Sequence, residues 1–421
     1  SIIVSGPSFD CGVKTVCNNK LIYFPPQLNN KDMNCDSILV RYGEVGLKSD
    51  SVRARYERML VRNLSVALER NSIQFEKIER DWGRIFIGSK DLNAAKVAAK
   101  VFGVVSASPT VSCEPNLEDV SKVAVEVAKE VIMEGKSFAV RPRKAGAQEF
   151  STQKMGEVVG AAICESLASR KTKVNLSKPD REIHVEIRQK RAYVFTEIFD
   201  GVGGLPYGTQ GRVVALISGG IDSPVAAWLM MKRGCEVIPV YMNNTPFLDE
   251  AAQRRAFEVM KVLGVWAPKA IKVYEVPHGE NLTEITKKCS VRYTCVLCKR
   301  MMYRIAIGIA VREKAHAVVT GSSLGQVASQ TSANMLAEAH GLGFPIVHPL
   351  IGLDKTEITD MAKRIGTYDV SIMQTGSCKA VPRHPATEAK VEVLQEEEAK
   401  IDFDALVKKS LEGARVSWTG E

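Results

Sequence analysis

The sequence predicts a multidomain protein, α+β in its first half and α/β with a parallel sheet in its second. Three observations predict this. A chain of 421 residues exceeds one ordinary core, so two or three domains are expected. From Ile38 to Gly103 the hydrophobic pattern runs strand, helix, strand, strand, helix. Beyond Gly211, strands and helices alternate without a hairpin, as a parallel sheet covered on both faces requires.

Each element follows from local pattern. Residues 1–35 have no periodicity and include the linker-like "PPQLNNKD", so they are read as an irregular extension. In 36–105, "SILVRYGEVGL" alternates as a strand and "SVRARYERMLVRNLSVALERN" as an amphipathic helix. "FEKIERDWGRIFIG" gives two strands around a turn and "LNAAKVAAKVFG" a helix, which suggests a ferredoxin-like domain. Residues 106–200 repeat the mixture: helices "LEDVSKVAVEVAKEVIMEG" and "STQKMGEVVGAAICESLASR", strand "SFAVRPRK", and a strand pair in "EIHVEIRQKRAYVFTEIF". Five glycines and a proline make 201–211 a linker. Residues 212–395 carry the doubly wound sheet, and 396–421 read as a helical tail.

Composition narrows the function classes. Charged residues at 25% and hydrophobic ones at 45% describe a soluble globular chain. No apolar run approaches the ~18–20 residues that span a bilayer, and the start lacks the order of a secretory signal. A cytoplasmic protein with no membrane partner is expected. Ten cysteines in so long a chain are no disulfide scaffold; clustered ones suggest metal or redox chemistry. The net charge of +9 is uneven, with 13 Lys or Arg against 6 Asp or Glu between Lys136 and Arg191. Such a stretch suits a phosphate-rich partner or forms a solvated face.

The most informative stretch is "VVALISGGIDSPVAAWLMMKRG", in which a buried strand runs through a small-residue turn into a helix. Backbone N–H groups and the positive helix end meet there. Gly219 and Gly220 admit a phosphate without a Cβ in the way, and Ser218 and Ser223 add hydroxyl donors. Asp222 or Ser223 is suited to cap the helix, and Asp222 alternatively to help hold Mg²⁺. A P-loop is excluded, because the only GKS has Glu130 where the first glycine belongs. "GVGGLPYG" fails as a dinucleotide fingerprint, with Pro206 at the third glycine. What remains, SGGIDS, resembles the pyrophosphate-binding loop of the ATP pyrophosphatase superfamily, enzymes that split ATP between its α and β phosphates and adenylate a substrate oxygen.

The resemblance widens along the chain. "RYGEVGLKS", "KSFAVRPRK", "YVFTEIFDGVGGLPYGTQG", "CVLCKRMMYRIA" and "TGSSLGQVASQT" are together similar to the tRNA 4-thiouridine synthetase family, over roughly residues 36–390. The resemblance implies a ferredoxin-like domain, a THUMP RNA-binding domain and an adenylating domain, acting on the uridine at tRNA position 8. The basic stretch falls in the THUMP-like part, where Lys136, Arg141, Arg143 and Lys144 are the expected RNA contacts. Leu216, Ile217, Ser218, Gly219, Gly220, Asp222 and Ser223 would bind ATP. Tyr241 and Met242 would lie beside the nucleotide, Lys299 would reach a phosphate, and Gly321 and Gln330 would complete the pocket.

Cys295 and Cys298 form C-x-x-C, which by itself reads as a redox dithiol or half a zinc site, with Cys289 and His278 weak further ligands. Cys378, in "QTGSCKAVPRHP", matches the family position that attacks or accepts sulfur, so Cys378 and Asp222 are the expected catalytic residues. Bacterial members often add a rhodanese domain; with only residues 379–421 beyond Cys378, none is expected here. Archaeal-type members hold an iron–sulfur cluster on the C-x-x-C and the later cysteine. That implies a [4Fe–4S] cluster on Cys295, Cys298 and Cys378 beside ATP and Mg²⁺, with sulfide or a persulfide carrier as sulfur donor. A ligase or amidotransferase on the same loop, a role in thiazole synthesis, and a homodimer stay open.

Overall fold

A computed structural model of the chain describes residues 34–420. The irregular extension expected at 1–35 therefore lies almost wholly outside the described residues. The first two domains share one sheet. Its strands lie in the order Ile78–Asp81, Arg84–Gly88, Ser37–Tyr42, Val104–Cys113, Ala192–Phe195, Arg181–Arg188, Ser137–Ala145 and Lys173–Val174. The strand Val104–Cys113 belongs to both parts. Val104 to Thr110 pair with Ser37–Tyr42, and Val111 to Cys113 with Ala192 to Val194. No break in the chain separates the two domains at residue 105.

A buried carboxylate locks this junction. Glu186 on Arg181–Arg188, 2% exposed, faces Arg84 Nε at 2.9 Å and Arg188 Nη1 at 3.1 Å. Arg188 in turn binds Asp81 at 2.7 Å and the carbonyl of Trp82. Removing Glu186 would leave the largely buried Arg41 and Arg84 guanidinium groups without their carboxylate and take one of two from Arg188. Glu186→Ala should cost ~3 kcal/mol of stability, measured by urea unfolding, whereas replacing an exposed pair such as Lys122–Glu118 should cost well under ~1 kcal/mol.

The linker is packed rather than loose. A Cβ on Gly201 would lie 2.2 Å from the carbonyl of Val104, and one on Gly204, at φ +81°, 2.1 Å from that of Lys232. Only glycine lets the chain pass between the two sheets at these points. Phe102 packs, rings tilted, against Trp228 and Trp266 at 5.5 and 5.9 Å, and Glu44 binds Arg233 through both carboxylate oxygens, so the first domain is docked on the last.

The second sheet runs Ile346–Val347, Val318–Val319, Arg212–Leu216, Glu236–Asn243, Lys272–Pro277 and Arg415–Trp418. Its first five strands are parallel and the last is antiparallel. The tail is helical as read except at its end. Helices Val391–Glu398 and Phe403–Glu412 are followed by the four-residue strand Arg415–Trp418, which covers an edge that would otherwise be open. Four residues after a helix are too few to show an alternation. Chain order reverses at Arg212–Leu216, which has the next strand on one side and Val318–Val319 on the other. Such a switch point opens a crevice at the carboxyl ends of the strands, where ligands bind. Among the described residues no helix is long and apolar enough to cross a membrane.

Candidate active site

The SGGIDS loop leaves Arg212–Leu216 at this switch point and enters the helix Asp222–Lys232. Neither Asp222 nor Ser223 caps that helix, contrary to the sequence reading. Ser223 Oγ instead accepts from Ser218 N at 2.9 Å and donates to Ser218 O at 3.1 Å, closing the loop on itself. The N-cap position is Ile221, which offers no side-chain cap, so the first helical N–H groups remain directed at the crevice. Asp222 Oδ1 receives Lys355 Nζ at 2.6 Å. Lys355 opens the helix Lys355–Ile365, placed there by a capping box of Asp354 and Glu357.

Two glycines are closely packed, Gly219 against a side chain and Gly321 against backbone. A Cβ on Gly219 would stand 2.6 Å from Arg255 Nε. One on Gly321 would stand 2.6 Å from Ser223 N and 2.7 Å from its Cα. Gly321 thus seats the 320–323 loop directly on the helix start. Gly321→Ala must push backbone apart and should raise the KM for ATP by ~10-fold or more, read from pyrophosphate release.

The other expected ATP residues fall around the same crevice. Leu216 pairs with Val240, and Ile217 N donates to Val240 O at 2.9 Å. Tyr241 and Met242 are buried in cores on opposite faces of the sheet, which leaves chiefly their backbone to meet a ligand. Gln330 Oε1 accepts from Ser323 N at 3.3 Å and its carbonyl from Gly325 N at 2.8 Å, so it shapes the loop after Gly321. Lys299 is not a free cation, because its Nζ lies 3.0 Å from Glu338 Oε2. Burial raises the Glu338 carboxyl from 4.5 to about 7 against the opposing pull of Lys299. A carboxyl that holds its proton more tightly when folded stabilises fully below about 4.5, and that contribution is lost as pH rises toward 7. Glu338→Gln should therefore gain in Tm relative to wild type between about pH 5 and about pH 8.

The sulfur residues approach from the neighbouring elements. Cys295 and Cys298 lie in the first two turns of the helix Thr294–Arg312, and Cys378 in the irregular segment after Tyr368–Ser371. Burial raises the Cys295 and Cys298 thiols, and the neighbouring Cys378 raises both further. Cys289 has a partner of its own, its thiol donating to Glu397 O at 3.4 Å. The three fit an iron–sulfur cluster in donor type. In spacing they do not yet form a closed site: among the described residues no group of three or more His, Cys, Asp or Glu is gathered closely enough to hold a metal ion.

One helix ties both loops together. Asp249 caps Glu250–Val265 through Ala252 N at 2.9 Å and accepts from Gly376 N at 3.1 Å, two residues before Cys378. Arg255, which crowds Gly219, donates to Met373 O at 2.8 Å, and Ser371 Oγ donates to Gly220 O at 3.4 Å.

Comparison with known proteins identifies each of the three parts of the chain. Residues 208–403 match the thiamine biosynthesis protein (ThiI) family, 114–197 the THUMP domain and 37–108 the ThiI ferredoxin-like domain. The probable tRNA sulfurtransferase of Methanosarcina mazei is 47% identical over 398 residues, 93% of this chain and 98% of that protein. That of Methanosarcina acetivorans is 48% identical, over 90% of this chain and 93% of that protein. The chain belongs to the tRNA sulfurtransferase family. A solved 4-thiouridine synthetase–RNA complex with bound ATP superimposes with a TM-score of 0.81 at 31% identity, covering 91% of this chain and 99% of that one.

The basic face of this sulfurtransferase is more internally paired than its sequence suggests. Lys136 binds Asp180 at 3.2 Å, and Arg141 binds Glu182 at 2.7 Å. Lys144 donates to the carbonyls of Gln148 and Phe150 at 2.8 and 3.0 Å. Arg143 is exposed and, among the described residues, has no ion-pair or hydrogen-bond partner. It borders a cavity of about 140 Å³ between the first two domains, which Arg41, Arg141 and His184 also line. Sequence reasoning missed Lys355 and Arg255. "GLDKTEI" announces a helix start, but nothing in it shows that its lysine returns to a loop far upstream.

Proposed function

We propose that this tRNA sulfurtransferase activates the uridine at tRNA position 8 by moving AMP from ATP to the uracil O4, then replaces that oxygen with sulfur, acting in the cytoplasm. The observation that carries the reading is the shared seat of the SGGIDS loop and the Cys378 segment on the first turns of Glu250–Val265. Activation and sulfur delivery must occur at one carbon, so the groups serving them must be neighbours.

The chemistry follows from the bonds exchanged. O4 attacks the α-phosphorus, pyrophosphate leaves, and the uracil N3 proton goes to water. Hydrosulfide sulfur then attacks C4, AMP departs with the former O4, and the S–H proton passes to N3 to leave the C4 thione. The loop N–H groups and the Lys355 ammonium, fixed by Asp222, would stabilise the charge developing on the phosphates. Asp222 supplies one carboxylate, so Mg²⁺ would be held there mainly by ATP phosphates, its usual mode. Lys299 would have to leave Glu338 to reach a phosphate. Cys295, Cys298 and Cys378 are the residues that would hold a [4Fe–4S] cluster, which would supply a place to bind sulfide. Anaerobic purification should then yield iron and acid-labile sulfide that vanish together in Cys298→Ala.

Arg143 is the strongest candidate among the four expected RNA contacts, since the others already have partners. Arg143→Ala should weaken tRNA binding and lower the salt slope by ~0.7–0.9. Lys136→Ala, which also frees Asp180, should change it less.

The direct test incubates the protein with unmodified tRNA, ATP and sulfide and analyses the nucleosides by mass spectrometry. ATP-dependent 4-thiouridine is expected, and none with position 8 changed to cytidine. Equal thiolation of the altered tRNA would sink the assignment of position 8, and thiolation without ATP the activation step.

A further inference from the structure

The C-x-x-C pair is not symmetric. Cys298 Sγ lies 3.3 Å from His278 Nε2, whereas among the described residues no hydrogen bond is made by the sulfur of Cys295 or Cys378. His278 is fully buried, and its backbone N donates to Asn243 O at 2.8 Å at the end of a sheet strand. Its other ring nitrogen, Nδ1, lies 3.0 Å from Asn281 Nδ2. The same amide nitrogen donates to Ser410 Oγ at 2.8 Å. Asn281 and Ser410 are themselves 2% and 3% exposed, so water does not compete for these contacts.

The hydrogens can be assigned from this network. An amide nitrogen has two hydrogens and no free acceptor site, so Asn281 gives one to Ser410 and one to His278 Nδ1. An Nδ1 that accepts carries no proton. The imidazole is then the neutral tautomer with its hydrogen on Nε2, the atom facing the sulfur.

We infer that His278, oriented by Asn281, is a positioning residue that donates a hydrogen bond to the sulfur of Cys298 and makes it the anchored member of the sulfur-handling trio. Cys295 and Cys378 are left free to move and exchange. A donor at this place favours any sulfur carrying negative charge, whether thiolate, persulfide or metal-bound. The inference rests on the reading of Cys298 as a sulfur-handling residue.

The test uses the full-length protein labelled with ¹⁵N-histidine; the chain has six histidines, and His278→Gln identifies the signal. A neutral ring with its hydrogen on Nε2 is expected. In parallel, His278→Leu should lower 4-thiouridine formation ~10-fold, the scale of losing an outer partner, with pyrophosphate release unchanged. His278→Gln, which keeps an N–H donor, should recover part of the loss. A hydrogen on Nδ1 would overturn the inference, since it requires the Asn281 amide to be turned over. So would wild-type thiolation in His278→Leu alongside an inactive Cys298→Ala. Wild-type thiolation in Cys298→Ala would remove the underlying reading instead, while the tautomer measured in wild type still judges the hydrogen bond.

Discussion

Asp222→Ala should lower pyrophosphate release on unmodified tRNA by ~10²-fold or more, with tRNA affinity unchanged. Asp222 sits at the first helical position after the loop and holds the Lys355 ammonium at 2.6 Å. Without it, the lysine loses the contact that aims it at the crevice. Lys355→Met should cause a similar loss, and the double variant should be little worse than either single one, because the two act as a unit. The basic face lies on the other sheet, so RNA binding is spared. Wild-type turnover in Asp222→Ala would remove the pair from the mechanism.

Cys378→Ala should abolish 4-thiouridine formation while pyrophosphate release continues. The thiol lies in an irregular segment held by Asp249 and Arg255, and it packs against the core that contains Cys298. Losing one sulfur leaves the SGGIDS loop, Gly321 and Lys355 in place, so activation persists with no nucleophile to complete the exchange. Cys295→Ala separates two routes for sulfur. Loss of thiolation there as well requires all three thiols together. Thiolation retained in Cys295→Ala but lost in Cys378→Ala would mean a persulfide on Cys378 alone.

The glycine–serine loop was legible because a strand, a small-residue turn and a helix follow one another within twenty residues or so, and their roles are local. The parallel sheet was legible for the same reason: alternating buried strands and amphipathic helices are local patterns. What escaped depends on chain reversal over long distances. Lys355 meets Asp222 across 133 positions, and Arg255 meets Met373 across 118. Glu338 reads as an ordinary helical glutamate until the fold buries it against Lys299. The basic stretch was legible as charge, yet which of its cations are free depends on carboxylates and carbonyls that the fold alone brings alongside. Ser223 reads as a cap by position, but its hydroxyl is better satisfied by closing the loop onto Ser218.

The central claim is that AMP is placed on the tRNA itself before sulfur arrives. The measurement that tests it most directly uses Cys378→Ala protein, unmodified tRNA and ATP labelled at the α-phosphate, quenched after a single turnover. The label should appear on tRNA, in step with pyrophosphate release, and should be absent when position 8 is cytidine. Pyrophosphate released at the wild-type rate with no label on tRNA, or label that persists on the cytidine-8 tRNA, would contradict the account.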